Sequence, residues 1–120
     1  DQAEFIAQAQ LLGEIGLAID GPTDLSAIKV PYEDLDCVLI MTIKAGQSGQ
    51  ELNPEYLKKV EMLKRVQHDI KIEIDGGIND RTIIEAKNAG ASRFVSTSFI
   101  FNGHPPAGGP QLQFNLLKKW

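Results

Sequence analysis

Chemistry-bearing residues concentrate in one stretch, Ile72-Glu73-Ile74-Asp75-Gly76-Gly77-Ile78-Asn79. Apolar and long residues lead into an aspartate, two glycines follow, and Asn79-Asp80 can start a helix. The pattern predicts a short buried strand ending in a carboxylate, then a glycine turn, then a helix N-terminus. Barrel enzymes keep their chemistry at the C-terminal ends of parallel strands, where a carboxylate can act on a proton. Glycines let the backbone approach a ligand closely, and a helix N-terminus offers free N–H groups to an anion. Asp-Gly is also a common turn pair, so a plain surface turn explains the same letters. The stretch alone leaves both readings open.

The 120 residues suffice for one domain with a real core but not for two. A hydrophobic fraction of 42% and a charged fraction of 23% fit an ordinary globular protein. The net charge of −4 argues against nucleic acid or an anionic membrane as the main partner. No apolar run approaches the roughly 20 residues needed to span a bilayer. No charged-then-apolar leader opens the chain, so no secretory signal is expected. The chain opens on Asp1 inside a helical pattern, which implies an absent upstream segment. The single cysteine, Cys37, rules out an internal disulfide. In its apolar run it reads as a buried small hydrophobe rather than a nucleophile, and a reducing cytoplasm is the expected setting.

The elements that must position Asp75 follow from periodicity. Residues 2–12 carry Phe5, Ile6, Ala9 and Leu12 at helical spacing, with Gly13 to close the helix. Ile15 to Ile19 forms a strand, and Asp24 caps a brief helix through Lys29, ended by Pro31. Cys37 to Ile43 is the strongest strand, apolar on both faces as in a helix-covered parallel sheet. A small-residue loop, 44–50, precedes a helix capped by Asn53 with Pro54 at its first position, running to about His68. Its expected inward face is Leu57, Val60, Leu63 and Val66. Asn79 or Asp80 caps the next helix, with Ile83, Ala86 and Ala89 inward and Gly90 as its stop. Ser92 to Ser96 is a fourth strand, and 97–101 a tight turn with a short helix. Residues 103–110 form a breaker-rich linker to a final helix, Gln111 to Trp120, with Leu112, Leu116 and Trp120 on one side. The expected fold is α/β, a single domain of four (β/α) units on a parallel sheet. Such units of about 25 residues make either a small open sheet or half a TIM barrel.

Four motifs resemble the ribulose-phosphate 3-epimerase family. Val38 to Gln50 reads VLIMTIKAGQSGQ, where the family has Val-Leu-Val-Met-Thr-Val and then Asn-Pro-Gly-Phe-Gly-Gly-Gln. Ile74 to Asn79 reads IDGGIN against Val-Asp-Gly-Gly-Ile-Asn. Val95 to Phe101 reads VSTSFIF against Val-Ala-Gly-Ser-Ala-Ile-Phe. Ile15 to Thr23 reads IGLAIDGPT against Gly-Leu-Ala-Leu-Asn-Pro-Thr. The matches fall in the right order and spacing over residues 1 to about 101, the last four of the eight barrel strands.

The resemblance implies a catalytic Asp75 that is also a metal ligand, with Met41 near the metal. It implies a divalent ion (zinc, iron or manganese) held by two histidines and two aspartates. The second aspartate and both histidines belong to the half without a counterpart here, so this chain alone is not expected to bind the metal. Neither His68, at a helix C-terminus where a cation suits the dipole, nor His104, in a Gly-Pro loop, is expected to be a metal ligand. The resemblance places the substrate phosphate on backbone N–H groups of Gly46, Gln47, Ser48, Gly49, Gly76, Gly77, Thr97 and Ser98. Thr97 stands where the family has glycine, and a β-branched residue forced to positive φ would be strained. Lys44 could add a positive charge there or be a solvated loop residue.

Three functions follow. The first is C3 epimerisation of a ketopentose phosphate through an enediolate, incomplete in this chain alone. The second is a catalytically inactive half-barrel that binds phosphate or serves in assembly. The third is an allulose-6-phosphate-type hexose epimerase. A half-barrel would leave open strand edges and an uncovered, apolar inner face, so a homo-oligomer is expected.

Overall fold

β-Branched and long apolar residues gather in four short runs, and each becomes a strand. The computed structural model describes residues 1–102 and 109–120. Strands β1 (Gly16–Ile19), β2 (Cys37–Met41), β3 (Lys71–Asp75) and β4 (Arg93–Val95) form one sheet in sequential order. All three pairings are parallel. Helices α1 (Gln2–Gln10), α2 (Pro54–Val66), α3 (Thr82–Ala89), α4 (Ser98–Phe101) and α5 (Gly109–Lys118) accompany them. This is the α/β arrangement expected of part of a TIM barrel. No described helix is long and apolar enough to cross a membrane.

The first crossover is lighter than a full unit. Between β1 and β2 lie only two 3-10 turns, Leu25–Ala27 and Tyr32–Asp34. Asp24 caps the first turn through the Ser26 amide, and these hydrogen bonds hold the Asp24 carboxyl below the ordinary carboxylate range. The second turn follows Pro31, which starts a turn but cannot sit inside a helix. The long crossover helix is α2, where Asn53 caps, Pro54 takes the first position and Lys64 donates to the carbonyls of His68 and Ile70 beyond the last turn.

One face of the sheet is sealed. Val38, Ile40, Ile72 and Ile74 are fully buried on the helix side, together with Val60 and Leu63 of α2 and Ala86 of α3. The other face carries the alternate residues, and it is not the apolar surface that was expected. Leu39 and Met41 share it with Lys71, Glu73, Asp75 and Arg93. The register sets Glu73 beside Arg93 and Met41 beside Asp75. A strand with one sealed and one half-open face alternates, which is why β2 is not apolar-buried on both sides. Cys37 lies on this open face, half-buried, and burial pushes its thiol above the ordinary range.

Several helix faces differ from their sequence reading. In α1 only Ile6 is buried, while Phe5 and Leu12 are 64% and 93% exposed. That helix touches the rest through one side, where Gln2 and Gln10 bond the post-β1 turns. α2 ends at Val66, which is 69% exposed. The final helix starts at Gly109 and buries Gln113 and Leu117 rather than Leu112 and Trp120. Of the expected 103–110 linker, 103–108 lie outside the described residues, as does His104, and 109–110 are helical.

The sealed face sets stability. Leu63→Ala should destabilise the chain by about 2–5 kcal/mol in urea titration, the range for fully buried leucines. Leu12→Ala should stay within about 0.5 kcal/mol of the parent.

Candidate active site at the mouth of the sheet

Alternation in β3 fixes where the carboxylate points. Ile72 and Ile74 face the helices at 0% exposure, so Asp75 takes the opposite face at the C-terminal end of the strand. Thr42, just past β2, locks the next residues. Its amide donates to the Asp75 carbonyl at 2.9 Å, and its buried hydroxyl donates to the Gly76 carbonyl at 2.6 Å. Its own carbonyl accepts the Asn53 amide at 2.8 Å, which ties the start of α2 to the same point.

Two more hydroxyls continue the pattern. Thr82 donates to the Gly77 carbonyl at 2.7 Å, and Ser96 to the Ile78 carbonyl at 3.0 Å. In a trans peptide the N–H points opposite to the C=O. With the Gly76 and Gly77 carbonyls drawn to Thr42 and Thr82, the amides of Gly77 and Ile78 are turned away from those hydroxyls. Neither donates to any described residue. The glycines are obligatory. Gly76 and Gly77 have φ of 135° and 71°. A Cβ on Gly77 would lie 2.2 Å from the Leu52 nitrogen. Asn79 then holds the turn that leads into α3, its Oδ1 accepting the Arg81 and Thr82 amides, each at 2.9 Å.

The third wall comes from β4. Thr97 has φ −121°, so its side chain is unstrained and the expected conflict with left-handed backbone does not arise. The α4 amides beginning at Ser98 point out of the first turn, where no intrahelical acceptor exists. These loops enclose a cleft of about 790 Å³. Of the residues expected to bind phosphate, the cleft takes in Ser48, Gly49, Gly76, Gly77, Thr97 and Ser98, alongside Asp75. Gly46 and Gln47 are exposed farther out on their loop, and neither lines the cleft, nor does Met41. Lys44 is exposed, outside the wall, and matches the solvated reading.

Sequence reasoning missed the hydroxyls of Thr42, Thr82 and Ser96. The signal was present, because each sits at an element boundary on a different loop. It also missed Arg81, a cation that lines the cleft together with Asp75, Glu51 and Glu85.

The described residues do not fit a resident metal. No group of three His, Cys, Asp or Glu side chains among them could hold an ion. Asp75 stands without the further ligands that protein metal centres require. His68 is at the surface beside Asp69, 3.2 Å away, and does not line the cleft.

Fold and site together are those of part of a TIM barrel: parallel strands, a strand-end carboxylate, and free amides on the adjacent glycine turn. The ribulose-phosphate 3 epimerase family model matches residues 1–101. The chain belongs to the ribulose-phosphate 3-epimerase family. It is 36% identical over 104 residues to a ribulose-phosphate 3-epimerase of Schizosaccharomyces pombe, covering 86% of this chain and 46% of that protein. The same-named protein of Methanocaldococcus jannaschii is 40% identical over 89 residues, 71% of this chain and 38% of its own length. That of Escherichia coli K12 is 36% identical over 91 residues, 72% and 40% respectively. The chain therefore spans under half the length of these relatives.

The glycine turn admits a direct check. Gly77→Ala meets both positive φ and backbone contact, whereas Gly46→Ala has φ 94° but open space around it. Gly46→Ala should cost about 1 kcal/mol from backbone strain alone, and Gly77→Ala distinctly more, in paired urea melts.

Proposed function

We propose that this chain carries the anion-binding and one acid–base part of a ribulose-phosphate 3-epimerase site. The observation that carries the reading is Asp75, held on the open face beside unpaired amides of the glycine turn. A phosphate dianion is well served by N–H donors that have no other acceptor. A carboxylate nearby can remove the proton at C3 of a 2-ketose. The C3–H bond pair then moves into the C2 carbonyl as an enediolate, and return of a proton to the opposite face inverts C3. That return needs a second acid, and the enediolate oxygen needs a stabilising donor. Glu51, Glu85 and Arg81 also line the cleft, but no described cluster could hold the ion that the family's reaction implies, which supports reading the reaction as incomplete within this chain.

The lack of a metal-ligand cluster among the described residues favours one alternative, a non-catalytic phosphate-binding half-barrel. A six-carbon ketose phosphate fits the same chemistry. The two readings separate experimentally. Ribulose 5-phosphate should show no turnover with the chain alone plus zinc, iron or manganese. Inorganic phosphate should still shift the NMR amide signals of Gly76, Gly77 and Thr97. Shifts confined to other residues would refute the anion site. Any turnover should vanish in Asp75→Asn, and turnover surviving that change would remove Asp75 from the chemistry.

We also propose that the open face is covered in solution, with a second copy as the first occupant to test. Eight strands are the number whose barrel interior is just filled by side chains, and two copies supply that number. Light scattering at micromolar concentration should report a dimer, and Cys37 should label more slowly with a thiol reagent as concentration rises. A monomer with concentration-independent labelling would refute the pairing. A single half-buried free cysteine accords with a reducing compartment such as the cytoplasm.

A further inference from the structure

Lys59 lies outside the cleft, on α2, yet its ammonium is fully committed. Nζ donates to the carbonyls of Asp20 at 3.0 Å, Gly21 at 2.5 Å and Thr23 at 2.8 Å. An ammonium has three N–H donors, so these acceptors exhaust it. All belong to the turn after β1. Burial holds Lys59 below the ordinary lysine range, opposed by the carboxylates of Asp20 and Asp24. Tyr56 holds the same turn from another side. Its ring centroid is 5.3 Å from Nζ, and a Cβ on Gly21 would lie 2.3 Å from the ring edge.

The turn in its place holds the next loop. The Asp20 Oδ1 accepts the Gly21 amide at 2.7 Å and the Ala45 amide at 2.9 Å. Ala45 sits in the loop after β2, which closes on itself through Gln50. The Gln50 Nε2 donates to the carbonyls of Lys44 at 2.9 Å and Gln47 at 2.7 Å. Farther along this segment, Ser48 and Gly49 wall the cleft.

We infer that Lys59 and Asp20 are positioning residues for the anion site. α2 fixes the post-β1 turn, the turn presents the Asp20 carboxylate, and the carboxylate sets where the 44–50 loop stands beside the glycine turn. The inference rests on the cleft being an anion site. Without the ammonium, the carbonyl oxygens converge with no positive charge between them. Their partial charges repel, the turn opens, and Asp20 moves with it.

Hydrogen exchange of the full chain by NMR, with a titration of inorganic phosphate, tests this. Lys59→Met keeps the length of the stem and removes every donor. It should speed exchange at Gly21 and Ala45 by roughly ten-fold, the scale of one lost hydrogen bond, and leave Ile74 unchanged. The phosphate-induced shifts at Gly77 and Thr97 should then need several-fold more phosphate. Asp20→Ala should act in the same way at Ala45, whereas Asp20→Asn, which keeps an acceptor oxygen, should retain most protection. Unchanged exchange at Ala45 in both Lys59→Met and Asp20→Ala would overturn the clamp. So would equal acceleration at Ile74, which signals global loosening. Faster exchange at Ala45 with an unmoved phosphate response would overturn the positioning role. If the parent chain shows no phosphate-induced shift at all, the anion site itself fails, and with it the positioning role, while Ala45 exchange still decides whether the clamp exists.

Discussion

The buried hydroxyl of Thr42, 2.6 Å from the Gly76 carbonyl, is the contact on which the site depends. Thr42 is 0% exposed and stands where two strands and a helix meet. Its amide extends the β2–β3 ladder by one bond to Asp75, and its carbonyl receives the start of α2. A buried carbonyl without a partner would cost about 1–3 kcal/mol, so the glycine turn has little freedom to reorient. Once the Gly76 carbonyl is committed, peptide planarity sends the Gly77 amide the other way. A side-chain hydroxyl on one strand thus decides which way a backbone donor points on the next.

Most of the frame could be read from the letters. The runs at Leu17, Val38, Ile72 and Phe94 became parallel strands, and Asn53-Pro54 and Gly90 marked helix ends where the structure has them. Burial faces were less legible. Phe5, Leu12 and Val66 fit helical spacing, but spacing says which residues share a side and not whether another element covers that side. The open sheet face shows the same limit. Leu39 and Met41 suggested an apolar surface, while Lys71, Glu73 and Arg93 on neighbouring strands enter it only through the register.

The site was half legible for a related reason. Asp75-Gly76-Gly77 announces itself, because a carboxylate and two glycines are unusual together in a strand end. Thr42, Thr82 and Ser96 do not, since a hydroxyl residue is ordinary in any loop. Their role appears when three loops converge on successive carbonyls. Thr97 was read as a hazard and is none, because its φ is negative and the donors beside it need no left-handed backbone. The cleft brings Asp75 and the glycine-turn amides together, and among the described residues no group of three metal-ligating side chains forms. The chain spans under half the length of its relatives.

Asp75 and the free amides of the glycine turn share one cleft at the mouth of the sheet, and we propose that phosphate binds there. A crystal structure of the chain grown with inorganic phosphate tests it most directly. Phosphate oxygens should lie about 2.7–3.2 Å from the amides of Gly77 and Ser98, with the Asp75 carboxylate facing the same space. Phosphate bound elsewhere while that cleft stays empty, or an Asp75 side chain turned among the outer helices, would contradict it.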